Sequence, residues 1–135
     1  MTFRIPTILF VLFPRKFISD LPEDFNLKYF SEFEYEWKRD PLWGLWDIAQ
    51  SPSETIEKKS GDCVDYARLA SSYLVQNTNK SVEIYVLFKF SLREPGHMIV
   101  FDGNQTYSSG NIRWEDVEEY ADDNNYKVVF RRSVQ

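Results

Sequence analysis

The chain reads Gly-Asp-Cys-Val-Asp-Tyr-Ala-Arg-Leu-Ala over residues 61–70, a stretch that contains its only cysteine. Asp62 is a favourable helix N-cap, because its carboxylate can accept hydrogen bonds from the unpaired amides of the first helical turn. Asp65, three positions later, approximates the acidic member of a capping box. Small and apolar residues follow at helical spacing, in one stripe of Cys63, Ala67, Ala70 and Leu74 and a second stripe of Tyr66, Leu69 and Tyr73. The sequence therefore predicts a central, buried helix that begins at Cys63.

The position of Cys63 at the start of a helix has opposing effects on its thiol. The helix dipole and the free backbone amides favour the thiolate, which is the nucleophilic form, whereas Asp62 and Asp65 disfavour it. The helix end alone would therefore not activate this sulfur, and a lone cysteine is usually a small buried hydrophobe. His97, the only histidine, is the candidate base. If His97 activates Cys63, the thiol pKa should fall well below its free value of about 8.5.

The composition limits the classes of function that the chain can perform. Its 135 residues suit one domain, 1–135, with enough length to bury a core. A net charge of −5 offers no basic surface to nucleic acid or to an anionic membrane. One cysteine excludes an internal disulfide and a cysteine-rich zinc site, and one histidine leaves mainly carboxylates for a metal. We expect no cofactor, no metal, no nucleic-acid partner and a cytoplasmic location, while the oligomeric state stays open.

The apolar run Ile5–Phe13 contains Pro6, is followed by Pro14, and is far shorter than the ~20 residues that span a bilayer. Arg4 before a short apolar run is a feature of signal peptides, but no small-residue cleavage site follows. We predict a buried strand here and no membrane span. A cropped or atypical signal is the alternative.

Two helices are predicted before Cys63. The first begins at Ser19–Glu23, where a serine or aspartate cap precedes a proline, and ends near Asp40–Pro41. Its aromatic residues recur at helical spacing and are expected in the core: Phe25, Tyr29, Phe30, Phe33 and Trp37. The second is a short helical turn that Ser51 caps and Pro52 begins.

Strand patterns dominate the chain after the central helix. Alternating apolar and polar residues predict a strand over Val82–Phe88, followed by strands at His97–Phe101 and Gln105–Ser109 and a last strand at Tyr126–Phe130. Asp102-Gly103-Asn104 is a hairpin signal, and Trp114–Tyr120 is a short acidic helix. One central helix followed by an antiparallel meander predicts an α+β fold.

Strand parity narrows the side chains that could orient His97. Asp102 has the opposite parity to His97 and sits in the turn. A turn at residues 102–103 places Ser108 directly opposite His97, and a turn at 103–104 makes Ser108 its diagonal neighbour. We therefore predict that Ser108 holds the second ring nitrogen of His97 and fixes its tautomer, with Ser109 as the choice if the strand is bulged.

Three elements occur in the order of a known family: Pro-x-Glu-Thr at 52–55, Gly-Asp-Cys-x-Asp at 61–65 and Gly-His at 96–97. Over roughly residues 43–110 the chain resembles the transglutaminase-like cysteine protease superfamily. The resemblance implies a papain-like core, in which the helix headed by the cysteine packs on an antiparallel sheet. It also implies that Cys63 is the nucleophile, that His97 is the base, and that the substrate is a protein or peptide.

The chain departs from this family at two places. The strand after the histidine usually carries an acidic third residue, whereas residues 105–109 here read Gln-Thr-Tyr-Ser-Ser. A neutral hydroxyl can orient the imidazole but stabilises its cation less. Ala49 stands where the family often has a tryptophan, and Trp46 can take over that packing near the substrate. Gln50 can supply an oxyanion-hole amide beside the backbone amide of Cys63, unless it simply faces solvent.

A rival resemblance is to the peptidoglycan-cleaving cysteine peptidases, which have a similar Gly-His strand. Those proteins normally show Asp-Cys-Ser-Gly and a second histidine, whereas residues 62–65 read Asp-Cys-Val-Asp and His97 is alone. We therefore expect thiol acyl chemistry on an amide bond. Water as the acceptor gives a peptidase, amidase or deamidase, and an amine gives a transglutaminase. The alternative is a binding or structural module that keeps the fold without catalysis.

Overall fold

The computed structural model describes residues 4–38, 48–89 and 96–134. The helices are α1 (Thr7–Leu12), α2 (Leu27–Tyr29, continued by a π-helical turn at Phe30–Glu34), α3 (Pro52–Lys58), α4 (Cys63–Asn77) and α5 (Val117–Asp123), with a 3₁₀ turn at Pro14–Phe17. The strands are β1 (Ile5–Pro6), β2 (Glu36–Trp37), β3 (Ile48–Ala49), β4 (Ser60–Gly61), β5 (Glu83–Lys89), β6 (His97–Phe101), β7 (Thr106–Ser108), β8 (Asn111–Arg113) and β9 (Tyr126–Ser133).

A five-stranded antiparallel sheet in the order β8-β7-β6-β5-β9 packs against α4. Side chains alternate between its faces, as the pleat requires. Met98 and Val100 of β6 belong to the main core with α4, whereas Ile99 packs with Val117 of α5 on the other face. The predicted α+β fold, with a central helix headed by the cysteine and packed on an antiparallel sheet, is confirmed.

The N-terminus of α4 is closed by a complete capping box. The Asp62 carboxylate accepts hydrogen bonds from the amides of Val64 and Asp65, each at 3.0 Å. The Asp65 carboxylate accepts in return from the Asp62 amide at 2.9 Å. Tyr66 and Leu69 on this helix have no exposed surface. The prediction of a buried central helix beginning at Cys63 is therefore confirmed, and its cap is more complete than the sequence pattern suggested.

A buried charge pair on α4 holds the backbone of Gln50. Asp65 Oδ1 accepts from the Gln50 amide at 2.7 Å, and an Arg68 guanidinium nitrogen donates to the Gln50 carbonyl at 3.1 Å. Arg68 is fully buried and also donates through Nε to the carbonyl of Phe17 at 3.3 Å. Burial lowers the pKa of Arg68 to about 10, and the nearby Asp65 opposes that change. Sequence analysis assigned no role to Arg68.

Gly61 allows this close packing. A Cβ at residue 61 would lie 2.7 Å from the Cβ of Asp65 and 3.0 Å from the side-chain amide nitrogen of Gln50. The segment that precedes Cys63 can therefore lie directly against the first turn of α4 only with glycine at this position.

The prediction of a strand over Ile5–Phe13 is wrong beyond its first two residues. Ile5 and Pro6 pair with β3, and a helix then runs from Thr7 to Leu12. Its buried residues, Thr7, Phe10 and Val11, recur at helical spacing, and Leu9 and Leu12 are exposed. A continuous apolar run hides this periodicity, which explains the error.

The long helix predicted from Ser19 to Asp40 is also wrong in its bounds. It begins at Leu27, where the Asn26 side chain caps the Tyr29 amide at 2.9 Å. It ends before Tyr35, whose hydroxyl donates to the carbonyl of Gly61 at 2.7 Å, and the chain then pairs in parallel with β4. Of the aromatic residues expected in the core, Phe30 is buried and Phe25 packs against the core, whereas Tyr29, Phe33 and Trp37 are 57%, 66% and 52% exposed.

Most of the remaining elements follow the sequence pattern, but the short acidic helix predicted at Trp114–Tyr120 lies at Val117–Asp123. Ser51 caps α3 by accepting from the Glu54 amide at 3.2 Å, and β6 has the predicted bounds. The last strand extends to Ser133, and β8 was not predicted. In the described part of the chain no helix is long and apolar enough to cross a membrane.

We expect Arg68→Ala to lower the free energy of unfolding by about 3–5 kcal/mol, because it removes a buried cation that acts on the charge of Asp65 and the side-chain donor to two backbone carbonyls. Urea denaturation followed by circular dichroism measures the change. Arg15→Ala is the matched control, since Arg15 is exposed, and should leave the transition nearly unchanged. Equal effects of the two substitutions would show that the buried pair does not hold the fold.

Candidate active site

His97 begins β6, and its Nε2 lies 2.7 Å from Ser108 Oγ on the neighbouring strand. The register pairs Val100 with Tyr107 and Phe101 with Thr106, which is the register of a turn at residues 103–104. Ser108 is therefore a diagonal neighbour of His97, one of the two arrangements that strand parity allowed. The structure brings these two side chains together as the sequence analysis expected.

Ser109 and Asp102, the other candidates for contact with His97, lie in the two turns that flank β7. Ser109 and Gly110 form the two-residue turn between β7 and β8, with positive φ angles of 44° and 91°. Asp102 accepts from the amides of Asn104 (2.9 Å) and Gln105 (2.8 Å) and from the Tyr107 hydroxyl (2.8 Å). Burial raises the Asp102 pKa, but these hydrogen bonds outweigh it and hold the pKa below its usual value. Asp102 therefore shapes the β6–β7 turn.

Two tyrosines that sequence analysis did not select surround the imidazole. Tyr120 of α5 places its hydroxyl 2.9 Å from Ser108 Oγ. Its ring lies 6.0 Å from that of His97 between centroids, with 19° between the planes. The Tyr126 ring of β9 lies 5.7 Å from His97 at 20°. No local motif marks these tyrosines; only the packing of α5 and β9 around β6 reveals them.

Cys63 is a half-buried free thiol at the first position of α4. Burial, with smaller contributions from Asp62 and Asp65, raises the pKa of Cys63 to about 12, although the backbone amide of Met98 opposes this change. The expected opposition of Asp62 and Asp65 to the thiolate is confirmed. The expectation of a depressed thiol pKa is wrong for this resting site, because burial outweighs the helix end and the Met98 amide.

The contacts of Cys63 bring it to the same end of the sheet as His97. The Met98 amide that acts on the sulfur belongs to the residue directly after His97. Burial is the main cause of a raised pKa at Tyr120, but the charge of Cys63 also contributes. The thiol is therefore electrostatically coupled to the tyrosine that bonds Ser108.

Gln50 and Trp46 were predicted to contact the oxyanion or the substrate. Gln50 donates through Nε2 to the Ser60 carbonyl at 3.0 Å and to Thr55 Oγ1 at 3.3 Å, so its side chain joins α3 to β4. It would have to release one of these bonds to bind an oxyanion. Trp46 lies outside the described residues.

A cleft of about 420 Å³ opens beside His97. The described residues that line it are Trp37, His97, Ser108, Ser109, Asn111, Tyr120, Asn124 and Tyr126, and Cys63 is not among them. The walls are aromatic, hydroxyl and amide groups, which suit hydrogen bonding to an uncharged chain. Among the described residues no group of three or more histidine, cysteine or acidic side chains could hold a metal ion.

We expect Asp62→Asn to speed alkylation of Cys63 severalfold at pH 8. Asparagine keeps the N-cap but removes a negative charge that disfavours the thiolate, so the thiol pKa should fall. Iodoacetamide labelling followed by mass spectrometry measures the rate. Asp116→Asn, at the N-cap of α5, is the control and should not change it. A slower or unchanged rate in Asp62→Asn would show that the Asp62 charge does not control the thiol.

Comparison with known proteins places this arrangement in a family. A family model described as a transglutaminase-like domain matches residues 23–103, which is more than half of the chain. No curated protein sequence matches the chain significantly.

Among solved structures, LapG from Legionella pneumophila has a similar fold, with a TM-score of 0.56 and 20% identity over 81% of this chain. Calcium-bound LapG gives a TM-score of 0.55 and 19% identity over 87% of this chain and 69% of LapG. The first of these matches spans 64% of the length of LapG, and the low identity makes it evidence for the fold alone. With the family model covering both β6 and the helix headed by Cys63, the chain belongs to the transglutaminase-like domain family.

Proposed function

We propose that this chain is a thiol-dependent acyl-transfer enzyme that cleaves amide or peptide bonds with Cys63 and His97. The carrying observation is the hydrogen bond between His97 Nε2 and Ser108 Oγ. This bond orients the imidazole and leaves Nδ1 as the ring nitrogen that can serve Cys63. The family membership and the position of Cys63 at the head of α4 support the same assignment.

The reaction follows from these groups. As the Cys63 sulfur forms a bond to the substrate carbonyl carbon, its proton passes to His97 Nδ1. The tetrahedral intermediate then collapses, the carbon–nitrogen bond breaks, and the leaving amine takes the proton from His97. A thioester on Cys63 remains. Water, deprotonated by His97, hydrolyses the thioester and regenerates the free thiol, whereas an amine acceptor would give a new amide.

The raised thiol pKa defines the resting state of this mechanism. At neutral pH a thiol with a pKa of about 12 is protonated, so Cys63 rests as the thiol. Proton transfer must then accompany attack on the carbonyl carbon. The Met98 amide already favours negative charge on the sulfur. The backbone amide of Cys63 is the first candidate donor to the oxyanion, with Gln50 as a second if it leaves Ser60.

The cleft beside His97 supports a peptide substrate. Apart from His97, its lining residues are aromatic, hydroxyl and amide side chains, among them Trp37, Asn111 and Asn124. Such walls provide stacking and hydrogen bonds for an extended, uncharged segment of chain. Peptide or amide hydrolysis is the reaction that we favour, because water needs no second binding site.

The second candidate is a non-catalytic module that keeps the fold. The half-buried, high-pKa thiol and the neutral Ser108 in place of an acidic residue are the observations that favour it. The two hypotheses predict different thiol reactivity, since only the enzyme requires that His97 promote the chemistry of Cys63.

We expect His97→Ala to slow iodoacetamide labelling of folded Cys63 at pH 8 by tenfold or more, because general-base assistance typically contributes roughly 10²–10⁴-fold. Burial holds the thiol protonated once this base is absent, so folded His97→Ala should also react more slowly than the same chain unfolded in urea. Quenched labelling and mass spectrometry give both rates. Equal rates for folded wild type and folded His97→Ala would favour the non-catalytic module.

We expect Ser108→Ala to lower Cys63 reactivity roughly two- to tenfold, since one neutral hydrogen bond contributes about 0.5–1.5 kcal/mol. Ser108→Asp should raise reactivity, because a carboxylate stabilises the imidazolium that forms during attack. The measurement is again the labelling rate of the folded proteins.

Asp102→Asn is the control for these variants. Asp102 shapes the turn through Asn104, Gln105 and Tyr107, so the folded variant should label like wild type even if it is less stable. Loss of reactivity in Asp102→Asn, with both Ser108 variants unchanged, would make Asp102 the functional partner of His97.

A further inference from the structure

We propose that Tyr120 and Tyr126 are positioning residues that fix the tautomer of His97 and stabilise its imidazolium form, in place of an acidic third residue. The proposal rests on the proposed function for its catalytic meaning. Its structural basis is separate: a hydrogen-bonded chain from His97 through Ser108 to Tyr120, and two tyrosine rings stacked near the imidazole.

The hydrogen-bonded chain has a definite direction. For His97 Nδ1 to accept the thiol proton, Nε2 must carry a hydrogen and donate it to Ser108 Oγ at 2.7 Å. The Ser108 hydroxyl then donates its own hydrogen onward to the Tyr120 oxygen at 2.9 Å. Tyr120 is therefore the last member of this series of hydrogen bonds, and its oxygen is the acceptor.

The rings act on the charge of His97. The planes of His97, Tyr120 and Tyr126 are within 20° of parallel, and the imidazole centroid lies 6.0 Å and 5.7 Å from the two tyrosines. Both pairs are stacked, and a cation that lies over the face of an aromatic ring, within about 6 Å of its centroid, is attracted by the negative charge of that face. Charge that appears on His97 as it takes the thiol proton therefore forms next to two rings that favour it.

Other titratable groups face this cluster from the surrounding elements. Cys63 reaches it from α4, and its thiolate would also favour a charged His97. Glu115 precedes α5, acts on Tyr120 through its charge, and lies 3.5 Å from Thr106 Oγ1. These groups remain unchanged when a tyrosine is substituted, so a change on substitution reports the tyrosine alone.

Nuclear magnetic resonance of the single histidine tests the proposal directly in the full chain. We expect Tyr126→Leu to lower the His97 pKa by roughly half a pH unit, the equivalent of one partly exposed cation–π contact. Tyr126→Phe keeps the ring and should restore the wild-type value. Tyr120→Phe keeps the ring but removes the terminal acceptor, so the ¹⁵N shifts of neutral His97 should move away from the Nε2–H tautomer.

Tyr29→Leu is the matched control. Tyr29 is exposed and its ring packs at a tilt against that of Phe33, so its loss should leave the His97 signals unchanged. Circular dichroism verifies that each variant is folded, and the two Tyr→Phe variants keep the test valid if Tyr126→Leu does not fold. The proposal is overturned if the His97 tautomer is unchanged in Tyr120→Phe and the His97 pKa is unchanged in Tyr126→Leu. If Tyr126→Leu does not fold, an unchanged tautomer in Tyr120→Phe is sufficient to overturn it.

The same variants separate this proposal from the proposed function. If wild type and His97→Ala label equally while His97 still responds to Tyr120 and Tyr126 as expected, the tyrosine role holds and the enzyme assignment fails. If His97 promotes labelling but does not respond to the tyrosines, the enzyme assignment holds and the tyrosine role fails. When both hold, Tyr126→Leu should also slow labelling by roughly threefold.

Discussion

The rest of the site depends on the hydrogen bonds by which Asp65 and Arg68 fix the backbone of Gln50. Asp65 binds the Gln50 amide and Arg68 binds its carbonyl, so the residue that leads into α3 is fixed against the central helix. The same Asp65 carboxylate completes the cap at Asp62. One acidic side chain therefore sets both where α4 begins and which segment lies beside Cys63. Charges buried this deeply are unfavourable unless paired, which is why every partner in the contact matters.

The central helix and the hairpin could be predicted because their signals are local. The cap at Asp62, the stripes on α4 and the parity that brings Ser108 to His97 depend on residues a few positions apart. The structure of the N-terminal segment could not be predicted, because a continuous apolar run fits a strand and a buried helix equally well. Tyr120 and Tyr126 could not be selected either, since their contact with His97 depends on how α5 and β9 pack around the sheet. Arg68 was missed because a charged residue on a predicted helix normally faces solvent.

The chain departs from the family pattern at the residue that contacts His97, where Ser108 replaces an acidic side chain. This change does not alter the fold around it. The strand that should carry an acidic residue is present, in one of the two registers that parity allowed, with a hydroxyl at the position that faces His97. The nearby carboxylate of Asp102 is bound to its own turn and to Tyr107. Polar contacts near the histidine come instead from a different layer of the molecule, through α5.

These features together favour a particular kind of thiol chemistry. A preformed thiolate–imidazolium pair needs a depressed thiol pKa and an imidazolium well stabilised before substrate arrives. Here burial and two aspartates raise the thiol pKa, and the groups around His97 are neutral hydroxyls and rings. A site of this composition favours the neutral pair at rest, and its contacts become more favourable as charge develops. In the proposed mechanism their contribution would fall on the transition state rather than on the resting state, which is the condition under which an interaction accelerates a reaction.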